Sequence, residues 1–267
     1  MTPGSGFGST RRKRLPEGVN PSLWAYATSQ RLADDETHTF ADHPLIKTDL
    51  NWIKEKLGTT TGLAADLGCG SGRASAMLAN IGWNVISIDL SPHMLAQFIA
   101  ENQPSINRNC LCVQGNLARL GFISDGSLDS AVCLFSTLGM IPRKHDRQLC
   151  LNAICCALKP GGKLLIHAHN WFVQHNHRQG LRWMAFDTFR QFTGHYDYGN
   201  RDAQYRGIPG VKIHMFHWNE IRNSLALAGL HVKSVVNLHS TTAQNIGNGF
   251  LNRHFRSGGW LIEATKP

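Results

Sequence analysis

Between residues 62 and 169, short apolar runs alternate with stretches whose apolar positions recur every three or four residues. The runs GLAADLG (62–68), NVISID (84–89), NCLCVQG (109–115), SAVCLF (130–135) and KLLIHAH (163–169) are predicted as strands. Between them, 73–81 places Ala74, Met77, Leu78 and Ile81 on one helical face. The 92–102 stretch has Ser91 as cap and Pro92 at its first position, and 143–158 is a third helix. Strands that are apolar nearly throughout, separated by helices, imply a parallel sheet covered on both faces, a doubly wound α/β architecture. LKPGG (158–162) fits a helix stop followed by a tight turn.

The flanks follow other patterns. Helices are expected over 21–33 and 44–57, the latter with Leu45, Ile46, Leu50, Ile53 and Leu57 at helical spacing and a stop at Gly58. Residues 170–216 lose regular periodicity and are expected to be loops and short elements. A helix over 218–228 ends at Gly229, and HVKSVVNLHS and GGWLIEATK make two closing strands. The expected organisation is a flexible basic tail (1–20), a helical cover (21–60), a core (61–169), an irregular substrate cover (170–216), and the last helix and closing strands of the same domain (217–267).

The length of 267 residues suits one elaborated domain. No apolar stretch nears the ~18 residues of a membrane helix, so no membrane association and a cytoplasmic location are expected. The net charge of +9 invites a nucleic-acid reading, but only Arg11, Arg12, Lys13 and Arg14 cluster. A small-molecule substrate is therefore favoured and RNA is kept as a lesser alternative; oligomeric state is not legible. Seven cysteines with no C-x-x-C pair point to buried thiols in a reducing compartment, without disulfides or a metal site.

The most informative stretch is AADLGCGSGR (64–73), a glycine-rich turn after the first strand, followed twenty-three positions beyond Asp66 by Asp89 at the end of the second. A glycine turn paired with such an acid is shared by binders of adenosine-bearing ligands. A dinucleotide fingerprint needs a third glycine where Arg73 stands, which disfavours a pyrophosphate and leaves a dehydrogenase a distant third reading.

The spacing D-x-G-x-G-x-G resembles the first motif of class I S-adenosylmethionine-dependent methyltransferases. DLSPHML, VQGNLARL, FSTLGMI and ALKPGGKLLI extend the resemblance over about 62–169. It implies a Rossmann-like seven-stranded sheet of order 3214576 with the last strand antiparallel, and S-adenosyl-L-methionine as cofactor. By that resemblance Asp66, Gly68, Cys69 and Gly70 hold its amino-acid end, the glycines sparing a collision with it, and Asp89 takes the ribose. Leu90 and Met94 touch adenine, Asn116 and the Leu117 amide meet its polar edge, and Phe135 completes the site. Asn116 departs from the commoner Asp. Leu95 and Phe98 are expected in the core.

Methyl transfer from a sulfonium needs alignment and, for some acceptors, a base. His167 and His169 near the end of the fifth strand are the candidates, expected to point to opposite faces. His214 and His217 come second, and His175 and His177 look like loop residues. The expected function is methyl transfer to an O, N or C nucleophile of a small molecule. The alternatives are a non-catalytic S-adenosylmethionine-binding subunit and a tRNA methyltransferase.

Overall fold

The computed structural model describes residues 15–40, 43–101, 109–176, 178–202 and 209–267. The basic cluster at 11–14 and His177 lie outside the described residues. Seven strands, β1 (Leu63–Leu67), β2 (Asn84–Asp89), β3 (Cys110–Gln114), β4 (Leu128–Cys133), β5 (Leu158–His169), β8 (His231–Leu238) and β9 (Gly259–Thr265), form one sheet of order β3-β2-β1-β4-β5-β9-β8. β1 to β5 are mutually parallel, whereas β9 runs antiparallel to both β5 and β8. This is the Rossmann-like order expected from the sequence, with the last strand reversed.

Alternation along β5 sorts its side chains between two layers. Leu164, Ile166 and Ala168 join Leu151, Ile154, Ile221 and Leu225 on one face. Leu165 packs on the other, with Trp52, Ile53 and Leu57 of α3 (Pro44–Leu57) and Ala74 and Leu78 of α4 (Arg73–Asn80). Ile154 belongs to a helix over Lys144–Ala157 (α6), and Ile221 to Trp218–Leu227 (α8). The remaining core helix is α5 (Pro92–Glu101), where Met94 N–H donates to the Ser91 hydroxyl at 3.3 Å.

Three expectations need correction. The helix expected over 21–33 is broken into α1 (Pro21–Ala27) and α2 (Gln30–Phe40). At the break the Thr28 hydroxyl bonds the Trp24 carbonyl at 2.8 Å, a side-chain competitor for a helical acceptor. The LKPGG turn is a bulge inside β5: pairing jumps from Leu128↔Leu158 to Ser130↔Lys163, with Gly161 at φ +79°.

The stretch from 170 onward, expected as loops and short elements, contains a fifteen-residue helix, α7 (Arg178–Phe192), besides the short pair β6 (Asn200–Asp202) and β7 (Lys212–His214). Apolar periodicity could not reveal α7. Its buried residues are Gly180 and Asp187, while Leu181, Phe186, Phe189 and Phe192 face outward. Asp187 is held by Trp171 Nε1–H at 2.7 Å and by the Gly199 N–H at 2.8 Å. Among the described residues no helix is long and apolar enough to cross a membrane.

Candidate active site

The glycine loop turns sharply from β1 into α4, with Gly68, Gly70 and Gly72 at φ +75°, +53° and +78°. Such angles strain any residue with a β-carbon. At two of the three, the space is claimed by the protein itself. A β-carbon on Gly68 would lie 2.3 Å from Thr137 Cγ2, and one on Gly72 would lie 2.0 Å from the Phe98 ring. Contact with Thr137 and Phe98 is thus by itself a reason for glycine at these two positions, with Gly68 also lining the cavities described next.

Asp89 closes β2 beneath the loop. Its Oδ2 accepts from Gly70 N–H at 2.8 Å and its Oδ1 from Ser91 N–H at 2.8 Å. Burial raises its pKa, an effect these backbone donors partly offset. Each oxygen keeps a further lone pair. Two cavities meet at this carboxylate. One, of about 140 Å³, includes Asp66, Gly68, Cys69, Gly70, Met94 and Phe135 in its lining. The other, of about 90 Å³, includes Leu90, Asn116, Leu117 and Ile141; Gly68, Asp89, Thr137 and Met140 line both. All ten residues assigned from sequence to cofactor contact thus border this double cavity. Met94, however, sits on the side of Asp66 and not with Asn116 and Leu117.

The cover comes from the N-terminal segment. Tyr26, Ile46, Asp49 and Leu50 line the first cavity, and Gly18, Val19 and Leu23 the second. Asn116 is already engaged, its Nδ2 donating to the Glu17 carbonyl at 2.7 Å and its Oδ1 accepting from Ala118 N–H at 3.0 Å. Arg119 Nε–H adds a bond to the Glu17 carboxylate at 3.0 Å.

Asp66 is buried under the loop and bonded by the Ser75 hydroxyl at 2.6 Å. Burial, outweighing the Ser75 hydrogen bonds, pushes its pKa up to about 6. The folded state therefore holds a proton that the unfolded chain releases near 3.8. That contribution to stability is complete below the lower value and is lost as pH rises through about 6. Asp66→Asn is expected to exceed the parent in stability by up to about 3 kcal/mol near pH 8, with the gap closing near pH 4; urea unfolding at both pH values measures it.

Beyond Phe135 lies a larger chamber of about 540 Å³, lined in part by His167, His169, Trp183, Arg201, Met215 and Gly259. His167 and His169 do not point to opposite faces, as expected from sequence. Residues two apart on a strand share a face, and the two rings stand 5.1 Å apart, on the α3 side with Leu165. There Asp49 of α3, a residue the sequence reading missed, places Oδ2 2.9 Å from His167 Nδ1. Burial, with His167 and His43 adding to it, lowers the His169 pKa to about 3.

The other histidines serve elsewhere. His214 is buried with Nδ1 3.0 Å from Asn200 Oδ1 and Nε2 2.8 Å from Glu220 Oε1, so both nitrogens are occupied. His217 packs against Trp171 and Phe172, outside the chamber. Among the described residues no group of His, Cys, Asp and Glu is arranged to hold a metal, and the seven cysteines are free.

Residues 65–166 match the family described as a methyltransferase domain. The sheet order is that of the Rossmann-like methyltransferase fold, and the matched segment runs from β1 to β5. The chain is 34% identical over 122 residues to YqeM of Bacillus subtilis, a protein named as a methyltransferase, a match covering 45% of this chain and 47% of that one. It is 28% identical over 128 residues to the ubiquinone biosynthesis O-methyltransferase of Xanthomonas oryzae, covering 48% of this chain and 52% of the relative. The chain thus spans about half the length of the curated relatives it matches. In fold it resembles a SAM-dependent methyltransferase from Methanosarcina mazei, with TM-score 0.59, 22% identity, and coverage of 77% of this chain and 92% of the other. The methyltransferase domain begins after α3, so Asp49 lies outside the matched segment.

Proposed function

We propose that the protein transfers a methyl group from S-adenosyl-L-methionine to a nucleophile of a small molecule. The cofactor lies across the double cavity and the acceptor in the chamber beyond Phe135. The observation that carries this reading is the position of Asp89, a half-buried carboxylate with lone pairs to spare where two cavities of different lining meet. It suits a ligand with a diol between two dissimilar ends. When bound, the cofactor supplies a methyl group already activated by a sulfonium.

The chain's own residues bind and orient. Asp89 accepts from the ribose hydroxyls, Leu90, Leu117 and Ile141 form an apolar slot for adenine, and Gly70 and Asp66 border the amino-acid end. The Asn116 side chain is spent on Glu17 and Ala118, which leaves its amide oxygen one lone pair for the base. Both cavities are smaller than the ~300 Å³ at which ligand pockets usually begin. The cover over Gly18 to Leu23 must therefore move outward when the cofactor enters. The chamber, by contrast, falls within the usual range for small ligands, which supports a small-molecule acceptor.

Calorimetry with S-adenosylmethionine and its demethylated product tests the first half: saturable binding of both is expected. Transfer from methyl-labelled cofactor to a panel of small acceptors and tRNA tests the second. Label in small molecules is the expected result, and label in tRNA alone would replace the acceptor class. Binding without transfer to any member would favour a non-catalytic subunit.

A further inference from the structure

We infer that His167 is the catalytic base, its Nε2 taking the proton from a hydroxyl of the methyl acceptor, and that Asp49 is the positioning residue that holds its ring. This rests on the methyl-transfer reading above. Alternation along β5 turns His167 toward α3, where it meets Asp49 Oδ2 at 2.9 Å, with the two side chains 1% and 2% exposed. A carboxylate only accepts, so the proton of the neutral ring sits on Nδ1 and the lone pair on Nε2. That Nε2 is buried and has no hydrogen-bond partner among the described residues. An orphaned buried acceptor is costly to a fold, and a ligand hydroxyl entering the chamber would satisfy it.

Two further features place that nitrogen beside both spaces. A β-carbon on Gly259 would stand 3.1 Å from His167 Nε2, so the glycine keeps a side chain off the nitrogen, and both residues line the chamber. Phe135, held at φ +47°, lines the cofactor cavity together with Asp49 and presents its ring edge-on to His167 and His169 at 6.4 and 6.1 Å. The pair thus straddles the boundary between the two spaces. His169 lines the same chamber, but its depressed basicity makes it a poor proton acceptor at neutral pH.

A hydroxyl is the acceptor such a pair serves. A neutral amine already offers its lone pair, whereas a hydroxyl oxygen becomes a strong nucleophile only as its proton leaves. In the step, the acceptor oxygen forms a bond to the methyl carbon while the carbon–sulfur bond breaks and its electron pair stays on sulfur. The hydroxyl proton passes to His167 Nε2. The positive charge lost from sulfur reappears on an imidazolium facing Asp49.

The test begins with long-range proton–nitrogen spectra of the full chain labelled with ¹⁵N-histidine and saturated with S-adenosylhomocysteine. His167 is expected as a single neutral tautomer with the proton on Nδ1, and Asp49→Ala is expected to abolish that preference while unfolding measurements show the fold intact. A proton on Nε2, or a tautomer indifferent to Asp49→Ala, overturns the inference. In labelled-methyl assays over phenols, alcohols, amines and carboxylates, transfer to a hydroxyl compound is expected. His167→Gln should then lower kcat by about 100-fold or more with KM and cofactor affinity little changed, and Asp49→Asn should fall between His167→Gln and the parent. Label confined to amines, or kcat retained in His167→Gln, also overturns it. Failure of the parent to bind S-adenosylhomocysteine would instead overturn the methyl-transfer reading, and the tautomer of the free protein would still judge the pair.

Discussion

Asp89→Ala is expected to weaken S-adenosylmethionine binding by about 100-fold or more in calorimetric titration, because two charge-assisted hydrogen bonds of ~1.5–3 kcal/mol each are lost. The effect has a second source in the protein itself. The same carboxylate ties Gly70 N–H on the glycine loop to Ser91 N–H at the start of α5, so its removal leaves both donors unpaired and loosens the loop. Asp89→Asn separates the two contributions. Its amide can accept from one of these N–H groups but presents a donor to the other, so binding should weaken while stability falls less than in Asp89→Ala. Affinity unchanged in Asp89→Ala would remove the proposed cofactor site.

Gly72→Ala is expected to destabilise the fold by about 2–5 kcal/mol, combining a left-handed backbone angle forced on alanine with overpacking against a filled core. The methyl group would lie 2.0 Å from the ring of Phe98, which is fully buried. Phe98→Ala in the same chain should recover the part due to the clash, so the double variant should cost clearly less than the two single changes together. Urea unfolding of the four proteins measures this. Strict additivity would mean that the ring contact is not the reason for this glycine. The prediction also distinguishes two explanations of one motif: the third glycine serves the packing of α5 onto the loop, whatever is bound above it.

The sheet was legible because its strands are apolar nearly throughout and the intervening helices carry a face of period three to four. Both signals come from burial on two sides, and β2 begins and ends at the predicted residues. The ten residues that border the double cavity came from the resemblance to class I methyltransferases; nine stand on loops or strand ends and Met94 on α5, at the carboxyl edge where such sheets bind ligands. Asp49 was not legible. Within PLIKTDLNWIKEKL an aspartate beside Thr48 reads as one more solvated side chain of an amphipathic helix, and its partner is 118 residues further along the chain. α7 was missed because it buries an aspartate and a glycine and exposes its phenylalanines, the reverse of what periodicity detects. The orientation of His167 and His169 was in principle readable from strand geometry alone, since spacing by two fixes a common face.

The carboxylate beside His167 is delivered by α3, which precedes residues 65–166, whereas the loop and Asp89 lie within them. In the proposed reading the two carboxylates, Asp49 beside the base and Asp89 at the ribose, therefore come from separate stretches of chain. Because Ile46, Asp49 and Leu50 of α3 also line the proposed cofactor cavity, exchanging that helix would alter acceptor chemistry and the fit of the donor together.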